Sequence, residues 1–423
     1  MNVVVIVVGG GWAGCAAAVA AAQAGADVVL LERSNLLLGT GLVGGIMNNN
    51  GRFTAARELA AMGADYLFEV IDQVTIHRRV DFPGHLHASL YDVNRVEAAV
   101  RRALVELGVH LMLESRVVDV EKDGDRIGRL VLSDGIRAPA HCFVDATGTA
   151  GPQGNCARVN GGCVMCVLRC PAFGARVSIA GKAGVREMSG SLFEAMSGSC
   201  KLQKKSLAPW LVRNLEERGA LVIPVPRYVP RTDRSAAKAC QQYSLPEFYD
   251  NIVLLDTGHA KLMAPFFPVD RLRAIPGFES ALFQDPYAGG RGNSIRFTVI
   301  TPHDLTMKVA GVDNLFCAGE KAGLMVGHTE AICTGALAGH NAVRKAVGKE
   351  PLILPPSLAC GDLLSCIERS LGSPSGLLNK YTFAGGVYYS RMYESGLYTT
   401  DTRRISQRVK DANLTGVFSQ RLL

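Results

Sequence analysis

The first 32 residues leave little freedom in how this chain can begin. Residues 3–8 are an unbroken apolar run, and Gly9-Gly10-Gly11-Trp12-Ala13-Gly14 follows. An alanine-rich stretch then leads to Gly25, and a second apolar run over 27–31 ends at Glu32. The order reads as strand, glycine turn, helix, strand, acid. Gly9 allows the tight turn, Gly11 lets the backbone approach a pyrophosphate, and Gly14 lets the helix pack closely on the strand. The helix N-terminus offers unpaired N–H groups and the positive end of its dipole to phosphates. Glu32 stands 23 residues after Gly9, where a carboxylate grips a ribose diol. The spacing therefore predicts a dinucleotide-binding βαβ unit, against the bland alternative of a glycine-rich turn with no ligand.

The same stretch could pass for a signal peptide or membrane anchor. It lacks a basic leader, and five glycines and an aspartate interrupt it. Continuous apolarity is what a buried parallel strand requires. No other run is long enough to span a bilayer, so no membrane role is expected. A length of 423 residues has room for two or three domains. The net charge of +7 suits an anionic cofactor and would suit RNA, without being a nucleic-acid signature by itself. Twelve cysteines without a secretory leader favour a reducing cytoplasm over a disulfide framework.

Further along, residues 34–51 are glycine-rich and polar and read as a loop covering the far end of the cofactor. Helices are expected over 55–70 and 92–107. Strands are expected over 109–113, 116–121 and 127–132, with Asp123-Gly124 as a hairpin turn. His141-Cys142-Phe143-Val144-Asp145-Ala146-Thr147-Gly148 is a short strand ending in small residues, which lets the chain turn beside a cofactor. The pattern changes from about 151 to 270: cysteines cluster, a basic helix-prone segment spans 201–218, and prolines break the chain. Residues 315–320 end another buried strand, followed by a small-residue helix over 329–347. In the last stretch, 361–371 and 402–412 read as helices joined by an extended, tyrosine-containing segment.

Three separated segments together resemble the two-dinucleotide-fold flavoproteins: the N-terminal fingerprint, Asp145-Ala146-Thr147-Gly148, and Ala318-Gly319-Glu320. The resemblance implies an α/β fold with a Rossmann-like FAD domain formed by residues 1–150 and 271–355. A substrate domain over 151–270 would be inserted in it, and a C-terminal helical and extended segment over 356–423 would follow. It also implies FAD as cofactor. Gly9, Gly11, Gly14, Glu32 and Arg33 would hold its adenosine diphosphate half. Ala146 and Gly148 would flank it, and Gly319 and Glu320 would sit by the ribityl chain and pyrophosphate.

A narrower resemblance runs from 271 to 347, through Ala274-Ile275-Pro276-Gly277-Phe278-Glu279, Thr301-Pro302-His303-Asp304-Leu305 and Ala318-Gly319-Glu320. This order looks like the glucose-inhibited-division-A-type flavoproteins, which include enzymes that modify tRNA uridines. Arg169-Cys170-Pro171 resembles their Tyr-Cys-Pro element, which implies Cys170 as a nucleophile toward a pyrimidine. The chain departs from that pattern at Arg169, at Glu320 where glutamine is usual, and at Asn48-Asn49-Asn50, where a related group carries a cysteine. The long C-terminal helical domain that grips tRNA in the larger group has no room here.

Cys156, Cys163, Cys166 and Cys170 are spaced C-x6-C-x2-C-x3-C with Pro171 next. The end overlaps the bacterial ferredoxin run, although the first gap is six rather than two. Three readings stand: ligands of an Fe–S cluster such as [4Fe–4S], reactive thiols working with the flavin, or buried structural cysteines. His328, just before the small-residue helix, is placed to move a proton at the flavin edge, or else to cap the helix. His85 and His87 share a strand face and could bind metal or contact substrate, but read rather as a solvated pair; Lys201, Lys204, Lys205 and Arg213 could line an anionic substrate path, but read rather as a solvated basic face.

The reading is thus an FAD-dependent oxidoreductase whose cysteines relay electrons or attack beside the flavin, with NAD(P)H as a candidate donor. Its partner would be a small-molecule substrate or a redox protein, and a homo-oligomer is expected. The alternatives are a flavin-dependent RNA uridine modifier and a non-catalytic redox sensor or assembly subunit.

Overall fold

Short β-branched runs separated by alanine-rich helix build a parallel sheet at the centre of the molecule. The computed structural model describes residues 2–148, 177–189, 195–196, 199–228, 245–264, 267–284, 295–296, 299–373 and 375–423. The sheet has five strands, in the spatial order Leu315–Cys317, Cys142–Asp145, Val4–Val8, Asp27–Leu31, His110–Met112. Every neighbouring pair is parallel. Residues 5–7, 142–144 and 315–317 are all buried, which is why these strands carry no polar alternation. The molecule is an α/β protein with a Rossmann-like parallel sheet.

The helix Trp12–Gln23 joins the first two strands and buries every residue from Trp12 to Ala21. A helix with no polar face must be covered on both sides. One cover is the sheet, and the other is the long helix His328–Ala346. Gly335 and Gly339 stand four apart, on one face of that helix. A Cβ on Gly335 would lie 2.2 Å from the Ala13 carbonyl oxygen, and one on Gly339 would lie 2.1 Å from that of Ala17. Alanine on one helix and glycine on the other let the two backbones touch. This contact sets the first turn of the long helix beside the first glycine turn.

Among the described residues three antiparallel sheets of three or four strands surround this core, with two further two-stranded pairs. One pairs Ile46–Met47, His85–Tyr91 and Thr75–Phe82; another pairs Val117–Asp123, Arg126–Leu132 and Arg137–Pro139. The third has four strands in the order Cys200–Leu202, Ala260–Leu262, Asn251–Asp256, Ala220–Pro224. It has its own apolar core around Leu211, Leu215, Leu262 and Phe278. Its other face packs Val253, Leu255 and Met263 on Val80, Phe82 and Leu90 of the first antiparallel sheet.

Several local expectations need correcting. The helix expected over 55–70 is two helices, Gly51–Ala61 and Tyr66–Gln73. The chain turns at Gly63, whose φ is +86° and whose Cβ would meet Ser419. The tyrosine-containing segment near the C-terminus holds the helix Gly386–Glu394, which buries Tyr388 and Met392 at helical spacing. Asn49 and Asn50 are buried. The Asn50 amide donates to the Gly84 and Ala384 carbonyls and its oxygen accepts from Leu86 N. His85 and His87 do not form a solvated pair. His85 is buried beside Asn49, whose amide lies 2.9 Å from its Nδ1, while His87 has a left-handed φ of +61° that irregularly turns the strand. Among the described residues no helix is long and apolar enough to cross a membrane.

Candidate functional site

Where the parallel strands end, the chain turns three times through small residues, and these turns enclose a groove. Gly9, Gly11, Trp12, Glu32, Arg33, Ala146, Thr147, Gly148, Gly319, Glu320 and His328 all line it. Counted with its open mouth, the groove leaves about 970 Å³ unfilled by protein atoms. It lies outside the carboxyl ends of the strands, where open α/β sheets bind ligands. A smaller recess continues from it between Val8, Leu31, Arg33, Ser115, Arg116 and Val117.

The four glycines of the first turn are glycine for different reasons. Gly9 has φ +101°, and a Cβ there would lie 2.5 Å from the Ala146 carbonyl oxygen. A Cβ on Gly10 would meet Leu37, and one on Gly14 would lie 1.8 Å from the Gly9 carbonyl oxygen. The protein itself excludes side chains at these three. Gly11 differs: its φ is −67°, open to any residue, and a Cβ there would meet nothing within 4 Å. It caps the N-terminus of the helix Trp12–Gln23 and lines the groove. Gly14 does not line the groove and serves the helix–strand contact beneath it.

Glu32 is buried at the end of the second strand. One carboxylate oxygen accepts Gly10 N at 2.8 Å, and the other accepts the Ser34 N–H and hydroxyl, each at 2.9 Å. Three donors thus hold the carboxylate rigidly at the groove.

The second and third turns are tied together from behind. Asp145 is fully buried and accepts from Thr147 N, the Thr147 hydroxyl and Ala180 N. Lys321, also fully buried, donates to the Ser178 hydroxyl at 2.6 Å and to Glu187, and its Nζ lies 4.0 Å from Asp145. Gly319 takes φ +68°, and its N–H donates to the Thr334 hydroxyl in the long helix at 2.9 Å. A buried cation between two carboxylates therefore locks the Ala146–Gly148 turn to the Gly319–Glu320 turn.

The opposite wall is the loop 38–45. Leu38, Gly39 and Thr40 line the groove, and Leu38 N donates to the Gly10 carbonyl at 2.7 Å. Beyond it stands an aromatic cluster. The His328 ring packs on Trp12 with centroids 5.7 Å apart, and its Nδ1 lies 3.4 Å from the Tyr91 hydroxyl. Burial raises the pKa of Tyr91, so the phenol stays protonated and able to donate to His328. His328 is thus held at the groove as the first residue of the long helix, with a hydrogen-bonding phenol beside it.

Of the residues expected at the site, Gly9, Gly11, Glu32, Arg33, Ala146, Gly148, Gly319, Glu320 and His328 meet in this one groove. Cys156, Cys163, Cys166 and Cys170 lie outside the described residues. The described cysteines 15, 142, 200, 317, 333 and 360 are buried. Burial raises the thiol pKa of Cys15, Cys142, Cys317 and Cys360, which makes them inert. Among the described residues no group of three or more His, Cys, Asp or Glu is placed to hold a metal. Sequence reasoning missed Trp12, Thr147 and Thr334; the first two sit inside motifs in which only the small residues had been assigned a role. Lys204 is not simply solvated: it is paired with Glu216 and Asp256.

Two family descriptions match: FAD dependent oxidoreductase over residues 5–151 and glucose inhibited division protein A over residues 267–350. Curated relatives include the tRNA uridine 5-carboxymethylaminomethyl modification enzyme MnmG of Chlorobaculum tepidum, 34% identical over 136 residues, which are 30% of this chain and 21% of that enzyme. The enzyme of the same name from Alkaliphilus oremlandii is 29% identical over 180 residues, 37% of this chain and 28% of that enzyme. The matches thus span under a third of either relative's length. Among solved structures, Aquifex aeolicus GidA superposes with a TM-score of 0.68 at 17% identity, covering 97% of this chain and 75% of that one. A flavoprotein/dehydrogenase from Cytophaga hutchinsonii gives 0.53 at 16% identity, covering 98% and 93%. Both structural likenesses concern the fold. Over residues 5–151 and 267–350, which form the two halves of one groove, the chain is thus similar to FAD dependent oxidoreductases and to glucose inhibited division protein A.

Proposed function

We propose that this chain is an FAD-dependent oxidoreductase with the strand-end groove as its cofactor site. The observation that carries this is Gly11. None of the described residues forbids a side chain there, so its absence answers to something that occupies the groove. The donors fit FAD: helix N-terminal N–H groups for the pyrophosphate and the fixed Glu32 carboxylate for a ribose. Arg33, Ala146 and Gly148 would flank the nucleotide half, and Gly319 and Glu320 the ribityl half. FAD would supply reversible two-electron redox chemistry; the protein supplies position and electrostatics. In this reading His328, with Tyr91 behind it, holds or moves a proton at the far end of the groove. Residues 1–150 and 271–355 carry the cofactor, and 151–270 face the substrate.

The test is anaerobic. Protein loaded with FAD is mixed with NADH or NADPH, and bleaching of the oxidised flavin is followed. Bleaching faster than that of free FAD with the same donor is expected. A flavin that stays bound and bleaches no faster than free FAD with either donor would instead favour a redox sensor or assembly subunit.

A second reading is RNA uridine modification with Cys170 as nucleophile. It is favoured by the relatives described as tRNA uridine modification enzymes. Cys170→Ser would then abolish turnover on tRNA while leaving the flavin spectrum unchanged. If Cys156, Cys163, Cys166 and Cys170 instead ligate a [4Fe–4S] cluster, the wild type would contain about four irons per chain, and Cys163→Ser would lose them.

A further inference from the structure

Lys261 is a buried lysine that the cofactor reading does not use. It sits in the strand Ala260–Leu262 of the four-stranded sheet and is 6% exposed. Its Nζ donates to two backbone carbonyls of the groove loop, Val43 O and Gly44 O, each at 2.6 Å. Among the described residues no carboxylate contributes to its surroundings, and Lys201 stands directly opposite it across the strand pair. Like charges in that position repel, and a buried ammonium without a counter-ion is costly. Burial and Lys201 together push its pKa down to about 7. Methionine or leucine would fill the same space without that cost, so the residue is explained by what its Nζ holds.

What it holds is a chain threaded through a narrow gap. A Cβ on Gly44 would lie 2.0 Å from His328 Cε1 and 2.5 Å from the Tyr91 hydroxyl. Gly45, at φ +90°, would on its other side meet Thr257. The loop is thus pinned at its start by Leu38 N to the Gly10 carbonyl and at its end by Lys261. Between those pins are Gly39 and Thr40, which line the groove, and Gly41, packed on the Trp12 indole.

We propose that Lys261 is a positioning residue of the flavin site: through it the antiparallel sheet holds the 38–45 wall against His328 and closes the groove on its cofactor. This rests on the groove being an FAD site. Lys261→Met should raise the FAD dissociation constant about tenfold or more, the effect of losing a charged hydrogen bond. It should also alter the bound flavin spectrum as the wall loosens. Lys261→Arg, which keeps a donor, should restore affinity to within about threefold.

A methionine variant with wild-type affinity and spectrum overturns the inference, as does an arginine variant no better than the methionine one. If the methionine variant does not fold, amine labelling of wild-type Lys261 decides. Labelling needs the loop to open, so FAD should slow it; an unchanged rate overturns the inference. A wild type that takes up no FAD removes the proposed function together with this role. A wild type that takes up FAD beside a methionine variant that holds it equally well removes this role alone.

Discussion

The two walls of the groove are each fastened by a buried lysine, and the two lysines are fastened differently. Lys321, behind the parallel-sheet wall, lies among Ser178, Glu187 and Asp145. Lys261, behind the loop wall, donates among the described residues only to carbonyl oxygens. The first arrangement neutralises charge inside a scaffold that two strand ends and a helix already share. The second leaves a charge uncompensated in order to reach a loop that has no regular structure of its own beyond one tight turn. One wall is therefore part of the fold and the other is attached to it. Loss of Lys321 should be felt as stability, and loss of Lys261 as cofactor retention.

The sharpest way to break this contrast is Lys321→Met. It leaves the buried Asp145 and the partly buried Glu187 without their cation, and breaking a buried pair in this way costs about 3–5 kcal/mol. Denaturant unfolding of the apoprotein should show that loss. A smaller loss than that of Lys261→Met in the same measurement would reverse the comparison.

Glu32→Ala comes next. It removes the acceptor of Gly10 N and of the two Ser34 donors and should weaken FAD binding by about 1.5–3 kcal/mol, read by titration calorimetry. An unchanged affinity would mean that the carboxylate only braces the turn.

Acid should act mainly through buried histidines. Burial, aided by Arg52, lowers the pKa of His85 to about 3; burial, aided by Arg344 and Lys349, lowers that of His340 to about 4. Below their ordinary value of about 6.5 the unfolded chain takes up protons that the folded chain refuses, so stability falls as pH drops from there toward 4. Each unit of depression corresponds to about 1.4 kcal/mol. His85 lies in the antiparallel part and His340 on the long helix of the parallel part. His340→Phe should flatten the fall for the whole fold, and a melting temperature independent of pH between 6.5 and 4.5 would contradict this.

The parallel wall was legible because its constraints are local and periodic. Gly9 to Glu32 is one βαβ unit read by spacing, and Ala318-Gly319-Glu320 ends a strand whose apolar run marks it. The loop wall was legible only as a glycine-rich stretch. That Gly44 must be small depends on His328 and Tyr91, which are far away in the chain. Lys261 carries no local pattern at all: its neighbours in sequence are those of any strand, and its partners lie some 217 residues earlier. The tyrosine-containing segment reads as extended because aromatic residues favour strands, and burial of Tyr388 and Met392 in the helix Gly386–Glu394 overrides that preference. Nothing local in the sequence marks Asn49 and Asn50 as buried; their amides satisfy His85 and buried backbone that lie far away in the chain.

The account stands or falls on what fills the space beside Gly11. The direct measurement is flavin content, by release and chromatography, of the wild type and of Gly11→Val after both are incubated with FAD and desalted. Because the protein itself tolerates a side chain there, the variant should fold with an unchanged melting temperature as apoprotein. The wild type should then hold about one FAD per chain, and the valine, projecting into the pyrophosphate position, should leave almost none. A wild type without flavin, or a valine variant with a full complement, would contradict the assignment of the groove.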